Sequence, residues 1–428
     1  MRPTTKKIFA LSLAGSLVLA ACGGEDDTTV AQSGDPAEET TSTTESETDT
    51  ETEAEGETVG TETGAATLRS DLTSLLQEHV YLAGIAIETA LDAGGDMEAP
   101  AVQAAVTTLD ANSVALADAV GSVAGDENGD AFLGLWREHI GFFVDYTLGR
   151  ATGDDAAAEQ ALADLDGYQL AAGDFFEEIT GGELPADALV ESLDMHVSTL
   201  ISAIDALVAG DDAAFDQLQA AADHMPMAAN ALAGAIVAAL PDESDGAVDS
   251  APAETRAVLT DVLQEHVYLA GIAIEQAVEA GGDMEVSAVQ AAVATLDANS
   301  VELSEVVGSV STPEDEEAFL GLWREHIGFF VDYTLGKATG DDAAAQTALE
   351  ELDGYQLAAG DFFEEITDGE LPAEALVESL DEHVSTLISA IDALVAGDAS
   401  AFMELREAGQ HMPMAAAALS GAIVAATS

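Results

Sequence analysis

The eight histidines are the side chains of this sequence best suited to chemistry, and each falls in a stretch of regularly spaced apolar residues. His139 is typical, because Phe132, Trp136 and Phe143 lie around it at spacings of three and four. Such spacing predicts that the imidazole lies on the buried face of a helix. Neutral imidazole is also the commonest metal ligand in proteins. The histidines are therefore candidate metal ligands pointing into a helical core.

A methionine follows the last histidine of each half of the chain, as in His224-Met225-Pro226-Met227. Imidazole and thioether together suit copper, especially Cu(I). Pro226 removes a backbone donor, so we expect the helix to kink there. The predicted ligands of one copper-type ion per half are His79, His139, His196, His224 and Met225, then His266, His326, His383, His411 and Met412.

An acidic residue precedes two of the histidines in each half. Its carboxylate could accept a hydrogen bond from the imidazole and so orient the ring, without binding the metal itself. These possible hydrogen-bond partners of the imidazoles are Glu78, Glu138, Glu265 and Glu325. Each lies one residue from its histidine, about 100° round a helix. A solvated position is therefore the alternative for each carboxylate.

The alternative for the whole set is a structural or protein-interaction module in which the histidines are core residues and the methionines fill space. No nucleophile–base pair or substrate site can be identified, so metal capture rather than turnover is expected. An enzyme that uses the buried histidines and Glu138 is a third alternative. The sequence has no Glu-x-x-His pairs, no His-Glu-x-x-His and no Gly-x-Ser-x-Gly. Di-iron, zincin and hydrolase chemistry therefore lack their motifs.

The chain contains an internal duplication with a shift of 187 residues. Residues 131–149 are identical to 318–336, and 165–180 are identical to 352–367. The predicted organisation is a signal peptide at 1–21, an acidic Thr/Glu-rich disordered tether at 22–66, a helical domain at 67–240, a linker at 241–254 and a second helical domain at 255–428.

Each half is predicted to be all-α, because apolar residues recur at helical spacing and Gly-Asp turns separate the runs. In the first half the helices are expected near 69–93, 99–123, 130–151, 155–180, 186–209 and 212–239. They pair into three helical hairpins, with one inward histidine on the first helix of each. Two tandem six-helix up-and-down bundles follow.

The first 21 residues read as a secretory signal. A basic start at Arg2, Lys6 and Lys7 precedes an apolar stretch that is too short to span a bilayer. Leu19-Ala20-Ala21-Cys22 resembles the lipobox of bacterial lipoproteins. The resemblance implies that the Cys22 thiol carries a lipid and that the chain is cut before it. The expected location is the extracytoplasmic side of the cell membrane, with the membrane as partner through the lipid.

Charge excludes several partners. Without the predicted signal peptide the chain has seven basic and 82 acidic residues, a net charge of −75. Such a protein cannot bind nucleic acid or anionic lipid surfaces through counterion release. Because 48% of its residues are hydrophobic, it is nevertheless expected to fold. An acidic surface of this kind is typical of halophilic proteins, since salt screens the repulsion.

Three segments in each repeat resemble a family of largely uncharacterised bacterial surface proteins that is sometimes labelled copper amine oxidase. They are Glu-His-Val-Tyr-Leu-Ala (78–83), Trp-x-x-His-Ile-x-Phe-Phe (136–143) and His-Met-x-Met (224–227). The resemblance implies copper but not amine oxidation, because no Asn-Tyr pair is present to form a quinone. The expected function is therefore metal binding or buffering by a lipid-anchored surface protein.

Overall fold

The computed structural model describes residues 60–241 and 244–427. The predicted signal peptide, Cys22 and most of the predicted tether lie outside the described residues. Within the described ranges the chain is all-α and has no strand, which confirms the predicted fold class. The helices of both repeats belong to one compact unit.

The helices lie close to the predicted ranges. In the first repeat they are α1 (Gly64–Asp92), α2 (Pro100–Ala124), α3 (Asp126–Thr152), α4 (Asp155–Ile179), α5 (Ala186–Ala209), α6 (Ala214–Ala222) and α7 (Met225–Ala239). In the second they are α8 (Ala251–Glu279), α9 (Ser287–Val310), α10 (Pro313–Thr339), α11 (Asp342–Ile366), α12 (Ala373–Ala396) and α13 (Ala401–Thr427).

Each repeat is a closed ring of helices. In the first repeat the helices from α1 to α6 each pack against the next in sequence, and both α6 and α7 return to α1. Helices α1, α3 and α5, the first members of the three hairpins, also contact one another across the ring. These are the helices that carry His79, His139 and His196, so the topology turns all three histidines toward one interior.

The proline has a different effect in the two repeats. In the first repeat the helix is interrupted between Ala222 and Met225, directly before Pro226. In the second repeat Pro413 lies inside the continuous helix α13. Proline removes the N–H that would bond four residues back, which weakens a helix without always breaking it. A break in the helix beside the proline, where a kink was predicted at Pro226, is therefore present in the first repeat only.

The first helix of each repeat begins earlier than the sequence predicted. Helix α1 begins at Gly64, within the predicted tether, and the Thr63 side chain accepts a hydrogen bond from Ala66 N at 3.2 Å. Helix α8 begins at Ala251, within the predicted linker. The two segments support each other, since Ala65 N donates to Asp245 O at 3.0 Å. Backbone hydrogen bonds between segments so far apart in the sequence cannot be predicted from local composition.

The two repeats meet along α1 and α8. The rings of Tyr81 and Tyr268, which are related by the 187-residue shift, stack with centroids 5.5 Å apart. Gln77 donates to Asp261, and in the related pair Gln264 donates to Ser74. The contact therefore has approximate two-fold symmetry.

By length and composition, helices α5 and α8 are apolar enough to cross a membrane. The apolar stretch of α8 is 89% buried inside the protein. Its apolar residues thus pack against the rest of the fold.

Candidate metal centre

His79 on α1 and His139 on α3 meet in the core of the first repeat. Their Nε2 atoms are 3.3 Å apart, and the side chains are 1% and 2% exposed. In the second repeat His266 and His326 have the same ring separation, 5.3 Å between centroids. Sequence spacing predicted that each ring would point inward, and the structure brings these two into direct contact.

Aromatic rings enclose the pair. The Trp136 ring lies 4.7 Å from His79 and 4.4 Å from His139, and Tyr168 stacks on His139 at 4.7 Å. Burial in this apolar shell, followed by the effect of His196, lowers the pKa of His79 to about 3. Burial also holds the pKa of His139 well below its usual value. Both rings are therefore neutral at physiological pH and have lone pairs available.

In the second repeat neighbouring groups partly oppose the effect of burial on the pKa values of the histidine pair. His266 Nδ1 and Asn299 Oδ1 make no hydrogen bond of standard geometry elsewhere. Asn299 is nonetheless the contact that acts to raise the pKa of His266, against the lowering by burial and His383. The backbone of Trp323 acts on His326 in the same sense. Burial nevertheless dominates, so both rings of the second repeat are neutral as well.

His196 and His224 extend the cluster. His196 packs against Phe143 with centroids 6.3 Å apart, and burial followed by His224 lowers its pKa to about 4. His224 Nε2 is already engaged, 3.1 Å from both Ser192 Oγ and Ser192 O. Its counterpart His411 makes the same two contacts with Ser379. Nε2 of His224 and His411 is thus occupied by serine in this structure.

A cavity of about 70 Å³ lies at the centre of the first repeat, with His79, His196, His224 and Met225 in its wall. The second repeat has a related cavity of about 50 Å³, lined by His326, His383, His411 and Met412. Apolar side chains form most of both walls. Either space is large enough for an ion and a small ligand.

The described residues contain no group of three or more His, Cys, Asp or Glu side chains close enough together to hold a metal ion. The predicted ligands therefore form a histidine pair with further candidates around a cavity. A four- or five-ligand site is not assembled.

The predicted carboxylate partners do not contact the histidines. Glu138 and Glu325 are exposed, so the prediction for these two residues was wrong. They lie about 100° round the helix from their histidines, which turns them to solvent. Glu78 and Glu265 are buried, but they face the other repeat. Glu78 accepts from Arg406 at 2.5 Å, and Glu265 accepts from Gln219 at 2.5 Å.

Sequence reasoning missed the buried cation at Arg406 and the role of Asn112. The Asn112 amide donates to Glu78 at 3.1 Å and to Leu75 O at 2.9 Å, and so ties α2 to α1. The sequence does set Arg406 apart, since it is one of few basic residues and its counterpart in the first repeat is the neutral Gln219. Its partner lies 328 residues away, a distance that no local pattern reveals.

No protein-family profile, curated protein or solved structure matches this chain.

Proposed function

We propose that each repeat binds one Cu(I)-type ion between its paired histidine rings, His79 with His139 and His266 with His326. The 3.3 Å separation of the His79 and His139 Nε2 atoms carries this proposal, and the equal centroid distance extends it to His266 and His326. Two nitrogens that each lie about 2.0–2.1 Å from one ion at a tetrahedral angle are about 3.3–3.4 Å apart. The rings are spaced to share an ion.

The surroundings favour a soft, singly charged ion. Both ligands are neutral and no carboxylate contacts them, so a divalent ion would be a poorly compensated buried charge. Met225 lines the same cavity as His79 and supplies a thioether, a ligand typical of Cu(I). His196 borders that cavity too and lowers the pKa values of both paired rings, which makes it a candidate for a third ligand.

The biological role in this proposal is capture or buffering of copper at the cell surface. The lipobox-like Cys22 would fix the protein to the extracytoplasmic face of the membrane, and the acidic tether would hold the bundle away from the lipid. Turnover is not part of the proposal. Ser192 Oγ lies 3.1 Å from His224 Nε2, but the Nδ1 atom of that imidazole has no hydrogen-bond partner that would orient it as a base.

The test uses full-length protein purified without a His tag. Cu(I) binding to the native state must raise the thermal midpoint, and two ions per chain are expected. The variant His79→Leu/His266→Leu should abolish both effects. The matched control His224→Asn/His411→Asn alters histidines whose Nε2 atoms already contact serine, and it should retain copper.

A structural module is the second candidate, favoured by the same 3.3 Å contact. One neutral imidazole can donate to the other and satisfy both without a metal. In that case neither Cu(I), Cu(II), Zn²⁺ nor Fe²⁺ would shift the midpoint, and the His79→Leu/His266→Leu variant would behave like the control.

A further inference from the structure

The cavities at the centres of the two repeats have hydrogen-bond donors in their walls without an acceptor in the described part of the chain. The indole Nε1 atoms of Trp136 and Trp323 have no hydrogen-bond partner, although the two side chains are only 8% and 7% exposed. Each tryptophan lies in the wall of its own cavity. A buried donor without an acceptor is costly in free energy, so its recurrence at the same place in both repeats requires an explanation.

A tyrosine hydroxyl is the second such group in each cavity. Tyr168 lines the first cavity and Tyr355 lines the second, and both side chains are buried. Burial alone raises the pKa of each hydroxyl, with no hydrogen bond or charge contributing. Stacking on His139 and on His326 holds the two rings in place. Indole and phenol can both donate, and a carbonyl oxygen has two lone pairs with which to accept.

Most of each cavity wall is apolar. In the first cavity Leu72, Leu116 and Leu232 are among the lining residues, and no Asp, Glu, Lys or Arg of the described ranges lines either cavity. A charged ligand would therefore be buried without compensation. Water could accept from the donors, but it needs two to four polar partners and would face apolar side chains on its other sides. A neutral molecule with one acceptor atom and an apolar remainder fits this wall better.

One substitution in the wall matches a difference in size between the cavities. Their volumes are about 70 Å³ in the first repeat and about 50 Å³ in the second. Ala119 lines the first cavity, and its counterpart in the second is the larger Val306. Both residues are half-buried. Since an apolar cavity of about 150 Å³ holds benzene, spaces of this size hold roughly two to four non-hydrogen atoms.

We propose that each cavity binds a short-chain aldehyde or ketone whose carbonyl oxygen accepts hydrogen bonds from the tryptophan and tyrosine donors. Ala119 and Val306 set the size limit in the two repeats. The ligand needs no copper, because Trp136 and Tyr168 bind its oxygen and the leucines enclose its apolar part. We expect an affinity of about millimolar, because so few atoms make contact.

The experiment titrates metal-free, ¹⁵N-labelled full-length protein with acetone. The chain has two tryptophans, one in each cavity, so each indole N–H gives an NMR signal that reports on one cavity. The proton signal moves downfield when the indole donates a hydrogen bond, and the variant Trp136→Phe removes one signal and so assigns both. We expect both signals to move downfield and to saturate, with at least fivefold tighter acetone binding at Trp136 than at Trp323.

Exchanging the two size-determining residues gives matched controls within one chain. Ala119→Val should weaken acetone binding at Trp136 at least fivefold and leave Trp323 unchanged. Val306→Ala should strengthen binding at Trp323 and leave Trp136 unchanged. Each new side chain occurs at the equivalent position of the other repeat, so both variants should fold. Signals that move linearly with acetone without saturating, or saturating shifts that neither exchange alters, would overturn the proposal. Neither result depends on copper binding at the histidines.

Discussion

The His79–His139 contact shows what residue type and spacing can predict. The spacing of three and four residues from apolar neighbours correctly predicted that both rings point inward. In the structure they are 1% and 2% exposed. It could not reveal that Tyr168 stacks on His139, because stacking depends on the relative heights of α3 and α4. Nor could it separate these two histidines from His224, whose Nε2 is engaged by Ser192.

Arg406→Gln tests the buried ion pair between the repeats. The substitution leaves the carboxylate of Glu78 buried and uncompensated, which costs roughly 3–5 kcal/mol for a buried pair. We expect a loss of that order in the free energy of unfolding, measured by urea denaturation. Arg137→Gln is the control, since its pair with Asp110 is 43% exposed on each side. The control should change stability by about 1 kcal/mol or less. Equal losses would contradict the assigned role.

At the scale of elements, Gly149 and Gly134 lie on the same helix, α3, in different surroundings. A Cβ at Gly149 would lie 2.8 Å from Ala158 N, whereas a Cβ at Gly134 meets nothing within 4 Å. Gly149→Ala should therefore separate α3 from α4 and destabilise the fold by about 1–3 kcal/mol. Gly134→Ala should stabilise it by about 0.5–1 kcal/mol. Thermal unfolding of the two variants checks the opposite signs, and equal midpoints would contradict the packing.

Helix positions were largely predictable because each boundary has a local chemical cause. Asp154 caps α4 by accepting from Ala157 N, and Gly153 before it has a φ of 73°. The early start of α1 was not predictable, because its support comes from Asp245 in the segment between the repeats. The kink predicted at Pro226 coincides with the break between α6 and α7, whereas helix α13 continues through Pro413.

At the scale of the whole molecule, the excess of acidic residues extends into the contact between repeats. Burial raises the pKa of Glu88 to about 7, and the nearby negative charges of Asp92 and Glu279 add to this effect. Burial, then Glu88, raises the pKa of Glu275 to about 8. The ordinary value in an unfolded chain is about 4.5. The folded state therefore binds these protons more tightly than the unfolded state.

The raised pKa values of Glu88 and Glu275 make the free energy of unfolding depend on pH. The stabilisation from these protons is complete below pH ~4.5, and it is lost as pH rises through about 7 to 8. Stability should therefore fall between pH 5 and pH 8, by roughly 2–4 kcal/mol per group. The variant Glu88→Gln/Glu275→Gln should flatten this slope and be more stable than the wild type at pH 8. Urea denaturation across the range measures it, and an unchanged slope in the variant would contradict the assignment.

The central claim is that the paired histidines hold a copper ion inside an apolar core. X-ray absorption on Cu(I)-loaded full-length protein tests it most directly, because it distinguishes imidazole ligands from the abundant surface carboxylates. The account predicts two or three imidazole nitrogens at about 2.0 Å, lost in His79→Leu/His266→Leu and retained in His224→Asn/His411→Asn. Copper surrounded by oxygen alone, or the same spectrum in both variants, would contradict it.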